Sequence, residues 1–260
     1  MLILLHSSKT MTSKTSHEAL HAPQLLEKTK KLATYIQSLS AAQLTKVMKL
    51  SPALAQKTKA IFSNWTAQPA LQSPAIDSFI GDIYSGLQAP TFTSADREYA
   101  DQHLRILSGL YGILRPLDGI SPYRLEMGYK LPDQPFNNLY QYWDKSVAET
   151  LPITVPIINL ASDEFSDVIT PFVEKSRLIA PRFLSINPKT KEATFVVVHA
   201  KIARGAYAHW MIKKRIEKID QLSEFNELGY QFNPKLSTPA IPTFVCQEFG
   251  GKGLSMKKQK

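Results

Sequence analysis

Two groups of residues in this sequence have the types and spacing to do chemistry. The first is Gly109-Leu110-Tyr111-Gly112, flanked by Arg105 and Arg115, inside the run QHLRILSGLYGILRPLDGISPYRLEM from Gln102 to Met127. Two glycines three residues apart suit a tight turn that needs positive φ. Ser94 to Leu107 reads as a helix: Ser94 is placed to cap it, acids follow, and Tyr99, His103, Ile106 and Leu107 recur along it. A short second helix from Ile113, stopped by Pro116 to Gly119, completes a helix-hairpin-helix layout. The hairpin amides then point outward and can hold phosphate, as helix N-termini do. In that reading Gly109, Leu110, Tyr111 and Gly112 contact DNA phosphates and Arg105 and Arg115 add charge. Such binding ignores base sequence, because phosphates carry no base identity. Taken alone, the Gly-x-x-Gly turn is more simply an ordinary helix end.

The second group is Lys9, Arg124, Glu126, Asp163, Glu164, Lys201 and Arg204, drawn from distant parts of the chain. If Tyr123-Arg124-Leu125-Glu126-Met127 is extended, Arg124 and Glu126 share one face. They form a structural ion pair or line a polar cleft, with Arg124 binding an anion and Glu126 acting as base or metal ligand. Ser162-Asp163-Glu164 follows a strand, where α/β proteins place ligands, and equally makes a helix N-cap with acids in its first turn. Lys201 and Arg204 share a helix face, and Gly205 leaves room for an anion near the backbone. Gathered in one cleft, Lys9, Arg124, Glu126, Asp163 and Glu164 would be candidate catalytic groups, and Lys201 and Arg204 an anion site. Scattered, they would carry no such meaning.

Other chemistries find no support. There is no Walker loop, dinucleotide fingerprint or nucleophile-elbow serine. His17 and His21 lie four apart but have no third ligand, so coincidence explains them better than zinc. The single cysteine, Cys246, provides neither a disulfide framework nor a cluster, so no metal or cofactor is expected. No apolar run approaches the ~20 residues of a membrane span, and the MLILLHSSK start is too short for a signal peptide. A reducing cytoplasm is the expected compartment.

The elements that must position these residues are legible in outline. Leu2 to Leu5 reads as a buried strand, and Met11 to Ala22 as a loop. Helices follow over Pro23–Leu39, Ser40–Met48 and from Ser51-Pro52 toward Trp65, with Lys28, Lys30, Lys31, Lys46, Lys49, Lys57 and Lys59 on outer faces. Ala75 to Leu87 is two short elements, and Asn137 to Leu151 an aromatic-rich helix. Val155–Leu160, Arg177–Ser185, Ala193–His199, Tyr230–Phe232 and Thr243–Phe249 read as strands, and Ala200–Lys218 as a strong helix. Lys213, Lys214 and Arg215 read as a solvated face. The expectation is one α/β (mixed α+β) domain over 1–249, with a mixed sheet, a helical layer and the embedded hairpin motif, then a flexible basic tail over 250–260. The net charge is +9. Residues 171–260 hold 16 Lys+Arg against 7 Asp+Glu and so carry the whole excess, which suits either polyanion binding or solubility.

LSGLYGILRPLD followed by PYRLEM resembles the signature of the bacterial YaaA peroxide-stress family. The resemblance extends through MLIL with Lys9-Thr10, GDIYSGLQA (81–89), LYQYW (139–143), INLASDE (158–164), AKIARG (200–205) and FNELGYQF (225–232). It implies a cytoplasmic protein that protects against hydrogen peroxide by lowering free iron. It also implies an unusual α/β fold that binds duplex DNA through a helix-hairpin-helix. One departure stands near the start: His6-Ser7-Ser8 replaces the small residue, Pro and Ala usual before Lys-Thr, so the turn presenting Lys9 lacks its proline. The expected function is therefore non-specific duplex DNA binding that limits iron-driven damage. The alternative is an enzyme acting on a small anionic ligand in the Lys/Arg/Glu cleft.

Overall fold

The computed structural model describes residues 1–12, 15, 17–131 and 136–254. Its strands and helices follow the chain in order. The N-terminal part holds β1 (Leu2–His6), β2 (Thr10–Met11), α1 (Leu26–Ser38), α2 (Ala41–Met48) and α3 (Pro52–Ser63). Then come β3 (Ser73–Pro74), α4 (Ala75–Ser78), β4 (Phe79–Ile80), α5 (Asp82–Leu87), α6 (Ser94–His103), β5 (Leu104–Ser108), β6 (Gly112–Leu114) and β7 (Gly119–Ile120). The rest is α7 (Leu139–Trp143), β8 (Ile157–Asn159), α8 (Asp163–Ser166), β9 (Leu178–Ile179), β10 (Arg182–Ile186), β11 (Ala193–Thr194), α9 (Val197–Lys214), β12 (Tyr230–Phe232) and β13 (Thr243–Cys246).

The fold is mixed α/β. The larger sheet has the order β6-β5-β1-β8-β9. All its neighbours run parallel except β6, which pairs antiparallel with β5. Every residue of β1 is buried, as expected for a central parallel strand covered on both faces. β5 and β8 lie on either side of it, so the strand order reverses at β1 and the crevice outside its carboxyl end is the favoured ligand position. The second sheet, β11-β10-β13-β12, packs Phe183 and Phe244 against Tyr207 and Phe225.

Local chemistry explains the helices. Ser40 and Gln43 close a capping box on α2, and Ser51 accepts the Leu54 amide at α3, with Pro52 in the first turn. Thr93 and Asp96 close another box on α6, so the cap there is Thr93 rather than Ser94. The three N-terminal helices match expectation.

The hairpin region does not. α6 ends at His103, and the next five residues form a strand whose Leu104 to Leu107 pair with Ile3 to His6 of β1. Residues 112–114 form a strand where a second helix was expected, so the unit is a helix followed by a β-hairpin. Ladder pairing with a fully buried strand overrides the helical spacing. Tertiary context also splits Arg177–Ser185 between the two sheets, shortens the Ala193–His199 strand to Ala193–Thr194, and starts the long helix at Val197. Asp144, with φ 46, ends α7 well before Leu151. Of the expected tail, the Gly250 amide donates to the Leu228 carbonyl, Lys252–Leu254 is a single helical turn, and residues 255–260 lie outside the described residues.

α9 is set by its crossing with α5. A Cβ on Gly205 would lie 1.8 Å from the Ile83 carbonyl oxygen, and one on Gly86 would lie 2.0 Å from that of Ile202. The two backbones touch, which fixes where Lys201 and Arg204 emerge. Gly205 therefore serves a helix–helix contact and not an approaching anion. Gly205→Ala should force these helices apart and lower stability by about 1–3 kcal/mol, as overpacking does. Urea unfolding of the variant against the parent measures this.

Candidate functional site

Where β1 ends, the chain turns polar. His6, Ser7, Ser8 and Lys9 follow four buried aliphatic residues and enter a cavity of about 380 Å³, shared with Asp82, Tyr84, Glu126 and Lys201. The proline missing from this turn is replaced by hydrogen bonds. The Ser7 amide donates to the Leu107 carbonyl at 2.8 Å, the Ser8 hydroxyl donates to the Ile80 carbonyl, and β2 pairs with β4. Tyr84 Oη donates to the His6 carbonyl at 3.0 Å.

His6 is buried and stacked on Phe165, with ring centroids 4.6 Å apart. Its Nδ1 lies 2.9 Å from the Ser7 carbonyl oxygen. A carbonyl only accepts, so Nδ1 carries the proton and Nε2 presents a lone pair. No described protein group meets Nε2. Burial pushes the His6 pKa down to about 4, opposed by the Ser7 bond and reinforced by the charges of Arg204 and Lys201. The ring is neutral at pH 7.

Of the second sequence group, Lys9, Glu126 and Lys201 line this cavity. Lys9 Nζ pairs with Glu126 at 2.5 Å, and Arg124 donates to the Lys9 carbonyl at 3.4 Å. Residues 123–126 belong to no strand, and Met127 opens a turn. They still alternate, with Tyr123, Leu125 and Met127 buried and Arg124 and Glu126 more open. Burial lowers the Arg204 pKa, countered by the charge of Asp163. Glu164 is a clasp: its Oε1 accepts the Gly128 amide at 3.1 Å, and its carbonyl accepts from Tyr140 Oη at 2.7 Å. Ser162 occupies the N-cap position of α8, but its hydroxyl makes no capping bond. Sequence reasoning missed His6, Asp82 and Tyr84. The signal for His6 was a polar ring directly after a run of aliphatic strand residues.

Several charged groups elsewhere are paired. Another cavity, of about 570 Å³, is lined by His21, Arg97 and Asp101 among others. Arg97 is bonded to Asp77, and His21 to Asp101 at 3.1 Å. His17 also reaches Asp77, so the two spaced histidines serve different carboxylates. Among the described residues no group of His, Cys, Asp and Glu is arranged to hold a metal. Lys213 and Arg215, expected on a solvated face, clamp Asp96 at 2.7 and 2.9 Å. Together with the Thr93 bonds they hold its carboxyl well below the usual range, Lys213 contributing most.

Four of the six residues expected to touch DNA lie inside the molecule, and Arg105 and Arg115 are half-buried. Gly109, Leu110, Tyr111 and Gly112 are all buried. The Tyr111 amide donates to Ser108 Oγ at 3.0 Å, the Trp143 indole donates to the Gly109 carbonyl, and Gly112, at φ +69, faces the Trp143 ring. Arg105 bonds to the Asp101 and Leu104 carbonyls, and Arg115 is tied to Asp118 and the Ala22 carbonyl. A helix pair joined by a short hairpin exists elsewhere. α2 and α3 pack together across Lys49-Leu50-Ser51, with Lys49 left-handed at φ 50. Leu44, Met48, Leu50 and Ala55 are buried, while Lys46, Lys49, Ser51, Pro52, Ala53 and Lys57 are exposed.

A family model described as peroxide stress protein YaaA matches residues 1–236. The chain belongs to the YaaA peroxide stress family. A UPF0246 protein of Salinispora tropica is 55% identical over 99% of this chain and 98% of its own length. Another UPF0246 protein, from Marinomonas sp. strain MWYL1, is 37% identical over 95% of this chain and 98% of its own. No helix among the described residues is long and apolar enough to cross a membrane.

His6 gives the family member an acid-sensitive step. Its folded pKa, about 4, lies below the ordinary 6.5, so the unfolded chain binds more protons between those values. Stability from the neutral ring is full above pH 6.5 and is lost as pH falls through the folded pKa. The loss between pH 7 and 4.5 should be about 2 kcal/mol. Urea unfolding across this range should show that slope, and His6→Leu should flatten it. The Asp96 clamp stabilises at neutral pH and is lost only as pH falls through and below the usual carboxylate range, under the His6 window.

Proposed function

We propose that this family member binds duplex DNA without sequence preference in the cytoplasm, as its part in the peroxide response. The contact is α2, the Lys49-Leu50-Ser51 hairpin and the start of α3, rather than Gly109 to Gly112. The observation that carries the reading is an exposed helix start beside three exposed lysines. α3 is twelve residues long, and its N-terminus presents Ser51, Pro52 and Ala53 to solvent. In that first turn Pro52 has no amide proton and Ser51 Oγ takes the Leu54 amide, so the Ala53 amide and the helix dipole are what favour phosphate. Lys46, Lys49 and Lys57 have no ion-pair partner among the described residues, so their charge is available. Burial of Leu44, Met48 and Leu50 holds the hairpin against the body, which lowers the entropy cost of presenting it. The net charge of +9 adds long-range attraction.

Neutralising phosphates releases condensed cations from the duplex. Fe²⁺ held there would be released with them, which moves peroxide chemistry away from DNA and limits iron-driven damage. Duplex binding should therefore weaken steeply with salt. A Lys46→Glu, Lys49→Glu, Lys57→Glu variant should lose at least about tenfold in affinity, with the salt slope reduced by about three. Fluorescence anisotropy across a salt series checks both, with thermal unfolding to verify the fold. Unchanged affinity in the variant would contradict this reading. Protection from Fe²⁺-dependent strand breaks should be lost in the same variant.

A further inference from the structure

We propose that the cleft at the end of β1 is a second site, which binds a small polyhydroxylated anion: a sugar phosphate or a sugar acid. Two buried hydrogen-bond acceptors line this one cavity without a protein partner, His6 Nε2 and Asp82 Oδ1. An unmet buried polar group costs about 1–3 kcal/mol, so a bound donor is the natural complement. Asp82 carries its carboxylate at the start of α5, and His6 is held by its stack on Phe165 and its Ser7 bond. His6 is therefore set in place before any ligand arrives. Each acceptor asks for an O–H or N–H.

The same cavity holds Lys201, and Arg204 stands one turn farther along α9. Neither has an ion-pair partner among the described residues. Lys9 is different, because Glu126 already holds it. Unpaired cations beside neutral and anionic acceptors call for a ligand with an anionic group at one end and hydroxyls at the other. A phosphate or carboxylate would accept from Lys201, and hydroxyls would donate to His6 Nε2 and Asp82 Oδ1. A bare metal ion fits poorly, since lysines line the site and no ligand cluster is present among the described residues. A volume of about 380 Å³ lies at the small end of small-molecule sites and excludes a duplex. The crossing of α5 and α9 at Gly86 and Gly205 joins the two walls, Asp82 on one and Lys201 on the other.

Calorimetric titration of the full chain with ribose 5-phosphate and with gluconate tests the site, using inorganic phosphate and ribose as the separate halves. At least one whole molecule should bind about tenfold or more tightly than either half, equivalent to one additional charge-assisted hydrogen bond. The preferred compound tells a sugar phosphate from a sugar acid. Binding should move the ¹⁵N resonance of His6 Nε2, and Lys201→Met should weaken it by about tenfold or more. His6→Phe, which keeps the stack on Phe165, supplies an independent loss if Lys201→Met is poorly folded. No binding of either compound at millimolar concentration would overturn the proposal. So would binding unchanged in both variants, or inorganic phosphate alone binding as tightly as the whole molecules. Lys201→Met should leave duplex DNA binding intact, so failure here is separable from failure of the DNA reading.

Discussion

The structure depends on a strand with no polar face. β1 is buried along its whole length, so every backbone group in it must find a ladder partner and every side chain an apolar neighbour. β5 and β8 satisfy both demands by running parallel to it. Parallel pairing sends all three chain exits to one end, and there the sequence turns from aliphatic to polar. The cleft follows from that geometry, with β1 supplying His6 and the following turn supplying Lys9. The α5–α9 contact supplies the facing wall. Its tightness explains why a helix of low amphipathic character is nonetheless firmly placed: ten of its residues are buried.

The same constraint decides what was legible in the sequence. Helices α2 and α3 were readable because their caps are local: Ser40 with Gln43, and Ser51 with Pro52. β1 and the second group of polar residues were readable too, the latter as a question of convergence. Leu104 to Ser108 was not. Its apolar residues fit a helix as well as a strand, and only the pairing with β1 decides between them. The glycine signal was real but its meaning was reversed. Gly112 takes positive φ to turn a β-hairpin into the core against Trp143, where amides cannot reach a ligand. The hairpin between α2 and α3 lacks glycine and uses Lys49 in the left-handed region, so a glycine-based reading passes over it. His6 was noticed only as part of the departure His6-Ser7-Ser8, because its unpartnered nitrogen is a property of three-dimensional burial.

The two sites differ in physical kind. The α2–α3 hairpin is exposed, convex and cationic, suited to a polyanion whose shape matters more than its identity. The cleft is concave and mixed in charge, with acceptors and donors fixed in opposition, suited to one small molecule. They use different residues and share no element. As proposed, this family member pairs a general polyanion contact with a specific small-ligand site.

The central claim, that DNA meets α2–α3 and not the glycine hairpin, is tested most directly by amide-resolved NMR titration with a short duplex. The account predicts shifts concentrated at Lys46, Lys49, Ser51, Ala53 and Lys57, fading as salt is raised, with Gly109 to Gly112 unmoved. Shifts concentrated at Gly109 to Gly112, with α2 and α3 silent, would contradict it.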